Sequence, residues 1–201
     1  MKLRYSPTSP YVRKVIVCAA ERGLRDAVEL IDAKTGDGQS GSRAENPLDK
    51  VPTLITDDGL ALYDSPVICE YLDSLPGGPA LFPQTGPERW LALRLQALAD
   101  GLLDAALACV MEGRRPVESE QSAGFVRFQK GKISRALDDM EASVSDLEGS
   151  LHIGVITVGC ALGYLDLRFA DDDWRATRPA LAAWFEEFAK RPAMTASMPP
   201  A

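Results

Sequence analysis

Histidine is nearly missing from this 201-residue chain, which has only His152. Sites built from several histidines are therefore excluded, and a Ser-His-Asp hydrolase would depend on that one residue. His152 stands in "GSLHIGV", a loop-to-helix junction where a structural role is the simpler reading. Cysteine is sparse as well. Cys18, Cys69, Cys109 and Cys160 are widely spaced, form no C-x-x-C, and each lies in an apolar helical run. That is neither a zinc pattern nor a secreted disulfide framework, so the four thiols read as small hydrophobes and no metal is expected. Long apolar runs are absent: Asp100, Asp104 and Glu112 interrupt the longest one, so no membrane partner is expected. "MKLRYSPTSP" lacks the apolar core of a signal peptide. Clustered basic residues are lacking too, and the net charge of −7 repels phosphate backbones and anionic lipid surfaces, so no nucleic-acid partner is expected. Together these absences predict a soluble cytoplasmic protein.

What is present is an ordered alternation of short strands and helices. "MKLRY" reads as a strand, and Ser9-Pro10 as a helix cap followed by proline at the first helical position. Val12, Val15, Ile16, Ala19 and Ala20 recur at helical spacing, leaving Arg13, Lys14, Glu21 and Arg22 for the outside, and Gly23 ends the helix. "AVELID" (27–32) is the next strand. A Gly/Ser-rich loop with one helical turn at most follows it. In "VPTLITDDGLALYDS", Thr53–Thr56 and Leu60–Tyr63 flank the Asp57-Asp58-Gly59 turn of a hairpin. Asp64 and Ser65 then start a helix with Pro66 in its first turn. The prolines and glycines of "SLPGGPALFPQTGP" mark a linker. Beyond it the pattern is helical: about 87–112, a second helix to about 148, a third over 154–170, and a last one opening at Pro179. The plan is β-α-β, then β-β-α, a linker (77–86) and an all-helical bundle. It predicts a thioredoxin-like domain over 1–76 and a helical domain over 87–201.

Four segments carry a resemblance: "SPYVRKV", "NPLDKVPTL" with Val51-Pro52, "YDSPVICEYLD" and the terminal "FAKRPAM". Taken in order, over nearly the whole chain, they resemble the cytosolic glutathione S-transferases, and most closely bacterial members near the omega and stringent-starvation-protein branches. The resemblance implies an enzyme that binds glutathione as co-substrate, with no other cofactor. It would stabilise the thiolate for attack on a hydrophobic electrophile whose identity is unknown. The alternative is a glutathione-binding or regulatory relative with little or no catalysis. A glutaredoxin-like reductase is disfavoured because no cysteine precedes residue 18.

The residues agree with this reading piece by piece. Asp64 can pair with an ammonium, while the Ser65 hydroxyl and the helix start favour a carboxylate; an α-amino acid head, such as the γ-glutamyl end of glutathione, has both. Read alone, Asp64-Ser65 is a plain capping pair. The resemblance assigns the cysteinyl backbone to Val51, whose main-chain groups would pair with it as an added strand. Lys50 could meet the glycyl carboxylate, and Tyr11 is placed to pack on the ligand. Ser9 is assigned the catalytic hydroxyl, a donor at a helix N-terminus that lowers the thiol pKa. It aligns with the position of a catalytic cysteine in related motifs, and Thr8, Ser6 and Tyr5 remain rivals for the role. One departure concerns the helix that begins near His152. The family's Ser/Thr cap with Asp three residues on is replaced by His152 and Val155 or, in another register, by Thr157 and Cys160. Finally, the helix 87–112 carries a second apolar stripe, including Leu93, Ala97, Leu103 and Leu107, from which a homodimer is expected.

Overall fold

The computed structural model describes residues 1–33 and 42–200. Most of the Gly/Ser-rich loop expected after the second strand lies outside the described residues. The chain divides into two compact units, Met1–Gln84 with Arg191–Ala201, and Thr85–Lys190.

In the first unit, β1 (Lys2–Tyr5), β2 (Glu29–Asp32), β3 (Thr53–Ile55) and β4 (Ala61–Leu62) form one sheet in the order β2-β1-β3-β4. β1 and β2 run parallel, and both other pairs are antiparallel. The parallel pair is joined by α1 (Pro10–Glu21), as a β-α-β crossover requires. α1 ends where Gly23 takes φ +69°, a backbone conformation that side-chain-bearing residues avoid. α3 (Ser65–Ser74) packs beside α1, and Val15, Cys18, Ile68, Cys69 and Leu72 are fully buried. This is the thioredoxin-like βαβ-ββα arrangement, with α2 (Ser42–Glu45) as a single helical turn between β2 and β3.

Two charged residues, Lys14 of α1 and Arg22 at its C-cap, defy the expected outward face. Lys14 is fully buried and Arg22 is 5% exposed. The cause for Arg22 is the Pro/Gly-rich segment that follows α3. Its guanidinium pairs with Asp73 at 3.3 Å and donates to the carbonyls of Asp73, Leu75 and Gly78. The Asp73 carboxylate in turn accepts from the Leu81 and Phe82 amides at 2.7 and 3.1 Å. The backbone groups of the would-be linker thus find partners without helix or strand.

The C-terminal residues were expected with the helical domain; instead, Arg191–Ala201 belongs to the first unit. The reason is polar pairing with α1. Arg191 forms a two-pronged bond to Glu21 at 2.9 Å on each side, and Arg13 donates to the Met194 carbonyl at 3.0 Å. Met194 is fully buried, on the short helix α8 (Pro192–Ala196).

The second unit is a bundle of α4 (Gly86–Gly113), α5 (Ala123–Ala142), α6 (Ile153–Arg168) and α7 (Pro179–Phe188). α5 stops at Ala142 rather than near residue 148, with a short 3-10 turn over Val144–Leu147 after it. α6 is apolar almost all round and buried along Ile153–Leu162, as a central core helix should be. α4 packs against both α5 and α6, so much of its second apolar stripe is consumed inside the unit; Leu103 is fully buried. Ala97 stays exposed, as does Trp90 at 68%. His152 is the N-cap of α6 and makes no side-chain cap bond, so the capping box is absent in the structure too. No single helix among the described residues is long and apolar enough to cross a membrane.

Candidate functional site

Strand direction gathers the expected site residues at one edge of the sheet. β1 leaves that edge at Tyr5, leading into Ser6–Ser9. β3 enters it: Thr53 pairs with Arg4, so Val51-Pro52 lies just outside the end from which β1 departs. β4 runs antiparallel to β3 with Leu62 opposite Leu54, so Tyr63, Asp64 and Ser65 leave at the same edge. Two helices, α1 and α3, therefore begin side by side beyond one end of the sheet.

Ser9 is the N-cap of α1. Its Oγ accepts the Val12 N–H at 3.3 Å, and Pro10 occupies the first helical turn. This bond uses the hydroxyl as an acceptor and leaves its proton available to donate, so capping and ligand contact do not compete. Tyr11, in the same turn, is half-buried. Ser9 also donates its own N–H to the Ser6 carbonyl at 3.1 Å, which turns the loop back on itself.

The Val51-Pro52 peptide is cis. Neither main-chain polar group of Val51 has a hydrogen-bond partner among the described residues. The loop before it is held by a residue that the sequence reading quoted but did not single out. Asn46 is 1% exposed; its amide donates to the Lys50 carbonyl and to Thr53 Oγ1, both at 3.1 Å, while its Oδ1 accepts from the Leu48 amide at 3.0 Å. The signal was there in Asn46-Pro47, a turn-initiating pair. Arg4 fixes α2 to β1 through a two-pronged bond to Glu45 at 2.8 and 2.9 Å, which holds the Glu45 carboxyl below its ordinary range. Lys50 itself is exposed.

Asp64 is the N-cap of α3, and its carboxylate accepts the Ser65 N–H. Ser65 is fully buried, and its Oγ has no hydrogen-bond partner among the described residues. A buried hydroxyl without a partner costs roughly 1–3 kcal/mol, so one that persists at a helix N-terminus calls for an explanation. The structure thus brings Ser9, Tyr11, Lys50, Val51, Asp64 and Ser65 to one end of one unit. Thr8, Ser6 and Tyr5 stand in the same loop as Ser9. His152, in the other unit, is half-buried, and burial lowers its imidazole pKa.

A thioredoxin-like unit with a cis-proline loop and two capped helix starts at one sheet edge, together with a helical bundle, defines a class of two-part proteins. The comparisons narrow that class. Residues 8–75 match the glutathione S-transferase N-terminal domain. The chain is 35% identical over 203 residues to the uncharacterized GST-like protein YibF of Escherichia coli K12, covering 100% of this chain and 99% of that protein. It superposes with TM-score 0.96 on a glutathione transferase family member from Pseudomonas fluorescens Pf-5 with bound glutathione, at 40% identity, covering 100% and 99% of the two chains. A glutathione S-transferase from Methylobacillus flagellatus KT, with glutathione bound, gives TM-score 0.93 at 40% identity over 99% of each chain. The chain belongs to the glutathione S-transferase family.

Proposed function

We propose that this chain is a glutathione transferase of the serine type, which binds glutathione at the sheet edge of its first unit and stabilises its thiolate for attack on a hydrophobic electrophile. The observation that carries the reading is the Ser65 hydroxyl, fully buried and without a partner at the start of α3, beside the Asp64 carboxylate. A γ-glutamyl head supplies what that place lacks: its carboxylate accepts from Ser65 and the α3 amides, and its ammonium meets Asp64. The open N–H and C=O of Val51 pair with the cysteinyl backbone, as they would with an added strand. Lys50 meets the glycyl carboxylate as a point charge, and Tyr11 packs on the ligand. These contacts bring the sulfur to the N-terminus of α1. There the Ser9 proton donates to the thiolate while Ser9 Oγ keeps its bond from Val12. The relatives crystallised with glutathione, at 40% identity, support the ligand.

The same proposal includes a homodimer. Its motive is apolar surface that the chain does not cover itself: Leu60 at 55% and Val67 at 49% in the first unit, and Trp90 at 68% on α4 of the second. Leu93 and Ala97 remain in the expected contact, whereas Leu103 is withdrawn into the bundle. A sedimentation run that finds only monomer at micromolar concentration rejects it.

Retention on immobilised glutathione, followed by an ultraviolet difference spectrum of the bound thiolate, tests the function. Wild type should be retained and show the thiolate band, whereas Ser65→Ala and Asp64→Ala should each lose about 1.5–3 kcal/mol of glutathione affinity, the range for hydrogen bonds to charged groups. Retention without a thiolate band would leave a binding protein and reject the enzyme. Unchanged affinity in folded Asp64→Ala and Ser65→Ala would reject the glutamyl site.

A further inference from the structure

Inside the helical unit, α5, the last turn of α6 and the two 3-10 turns after it, Ala170–Asp172 and Trp174–Thr177, surround a cavity of about 230 Å³. The glutathione reading makes no use of it. Its apolar lining is Ile133 and Leu137 of α5, Leu165 of α6, Phe169 and Trp174. Ile133, Leu137, Leu165 and Trp174 are buried, so the hole reaches into the core. Folded interiors are close-packed and hold few voids larger than a water molecule, so a gap of this size needs a cause.

Polar braces keep its walls apart. Arg178, buried at the start of α7, donates to Asp138 through Nε at 3.1 Å and Nη2 at 2.7 Å, to Ser134 Oγ at 2.9 Å and to Thr177 Oγ1 at 2.8 Å. It thereby ties α5 to the second turn. Trp174 is held from its polar side: its indole N–H donates to Asp166 at 2.9 Å. Arg175 takes the same carboxylate in a two-pronged bond and lies 4.4 Å from the indole ring. Opposite, Lys130 pairs with Asp172 at 2.7 Å. The cavity is thus preformed, which leaves little ordering for a ligand to impose. The Lys130–Asp172 pair is 43% exposed at both partners, a surface pair that parts at small cost and can admit a ligand.

Charge narrows the ligand. Both cations of the lining, Lys130 and Arg178, already have a carboxylate of the chain, Asp172 and Asp138. An organic anion would have to displace one of these, in a chain of net charge −7. An organic cation would meet aromatic rings that already face one, Lys130 at 5.9 Å from the Phe169 ring and Arg175 on Trp174. A neutral molecule meets neither obstacle. Size narrows it further: an apolar cavity of roughly 150 Å³ takes benzene, and drug-sized ligands need about 300 Å³ or more, so one or two rings fit here. One donor is uncommitted. Ser134 Oγ accepts from Arg178, and its own proton has no acceptor among the described residues. It can donate to an oxygen of the ligand.

We infer that this cavity binds a neutral aromatic molecule of one or two rings that carries a hydroxyl or carbonyl oxygen, with Ser134 as the donor to that oxygen. The site lies wholly within the helical unit and does not rest on the transferase reading.

Calorimetry on the full chain with 2-naphthol, which offers a thiolate nothing to attack, tests the inference. Its anionic and cationic counterparts, 2-naphthoate and 2-naphthylmethylammonium, are the controls. 2-Naphthol should bind at least about tenfold more tightly than either ion, because neither ion finds a free counter-charge. Saturating S-hexylglutathione should leave that affinity unchanged. Ile133→Phe sets a ring into the cavity and should weaken binding at least about tenfold, with retention on immobilised glutathione unchanged. Ser134→Ala should weaken it about threefold. Wild type alone supplies a second readout. The Ile133 methyl resonance, assigned by its loss in Ile133→Val, should shift on addition of 2-naphthol, whereas that of Ile55 in β3 should not. An Ile133 methyl that stays put at saturation, full affinity in folded Ile133→Phe, displacement by S-hexylglutathione, or tighter binding of either ion overturns the site. Unchanged affinity in Ser134→Ala overturns the assignment of the donor.

Discussion

The two units solve the problem of holding a shape in different ways. The first has a small sheet packed with α1 and α3, and its buried polar residues clamp the irregular stretches between elements: Asn46 the loop before β3, Arg22 and Asp73 the stretch after α3. The second is tied together by a central helix, α6, buried on nearly every side. There the close contacts are apolar and steric: a Cβ at Gly154 would sit 2.6 Å from the Ala92 carbonyl oxygen and 2.7 Å from Leu95 Cβ. The lesson is that the residues holding the irregular stretches of the first unit act through charge and hydrogen bonds, whereas those along α6 act through volume.

The largest effect should come from breaking the clamp of the first unit. Asp73→Ala leaves the buried Arg22 guanidinium without its counter-ion and the Leu81 and Phe82 amides without their acceptor. Removing one partner of a buried ion pair costs about 3–5 kcal/mol, read as a lower urea midpoint. Gly154→Ala should cost less, about 1–3 kcal/mol, because α6 must shift away from the α4 backbone to admit one methyl group. If Gly154→Ala proves the more damaging of the two, the contrast between the units is the wrong way round.

Ser9→Ala should have a smaller effect on stability, about 0.5–2 kcal/mol for the lost cap. Its sharper consequence is chemical. If Ser9 donates to the thiolate, the pKa of bound glutathione should rise toward about 8.5, the value for a free thiol, while binding at low pH changes little. An unmoved pKa with conjugation intact would transfer the role to Thr8, Ser6 or Tyr5. Ser9→Cys should gain thiol transfer at the expense of conjugation, since a thiol at that helix start captures glutathione as a disulfide.

Much of the first unit was legible because its signals are local. Ser9-Pro10, Asp57-Asp58-Gly59 and Asp64-Ser65-Pro66 each fix a few dihedrals by their own chemistry, and the strands between them follow. Strand direction then brings the candidate residues to one edge, which no single motif states. What stayed hidden depends on partners far along the chain. Arg22 looks like a surface residue until Gly78 and Asp73 are placed against it, and the last residues look like part of the helical domain until Arg191 finds Glu21. In the second unit the periodicity of α4 marked two apolar faces correctly but could not say which neighbour covers each. α5 and α6 both pack against α4, Leu102 of one face and Leu103 of the other are buried, and Trp90 is left exposed.

The smallest predicted effect lies at the start of α6, where volume and polarity meet. His152 is the N-cap but makes no cap bond, and its Nδ1 is buried without a partner among the described residues. Burial holds its imidazole pKa below the ordinary 6.5. The positive end of α6 also opposes a charged imidazole. The unfolded chain therefore takes up the proton first as pH falls, and stability is lost from about pH 6.5 downward, until the folded state too is protonated. Above that window the group is neutral in both states and contributes no pH dependence. His152→Thr removes the titration and supplies a hydroxyl that can accept an amide of the first turn. It should raise stability at pH 7.5 by about 0.5–2 kcal/mol and flatten the decline below pH 6.5. Urea unfolding at pH 7.5 and 5.5 measures both. A variant that is no more stable at pH 7.5 and keeps the wild-type slope would show that the bare helix start is satisfied by other means, and that the acid sensitivity of this unit lies elsewhere.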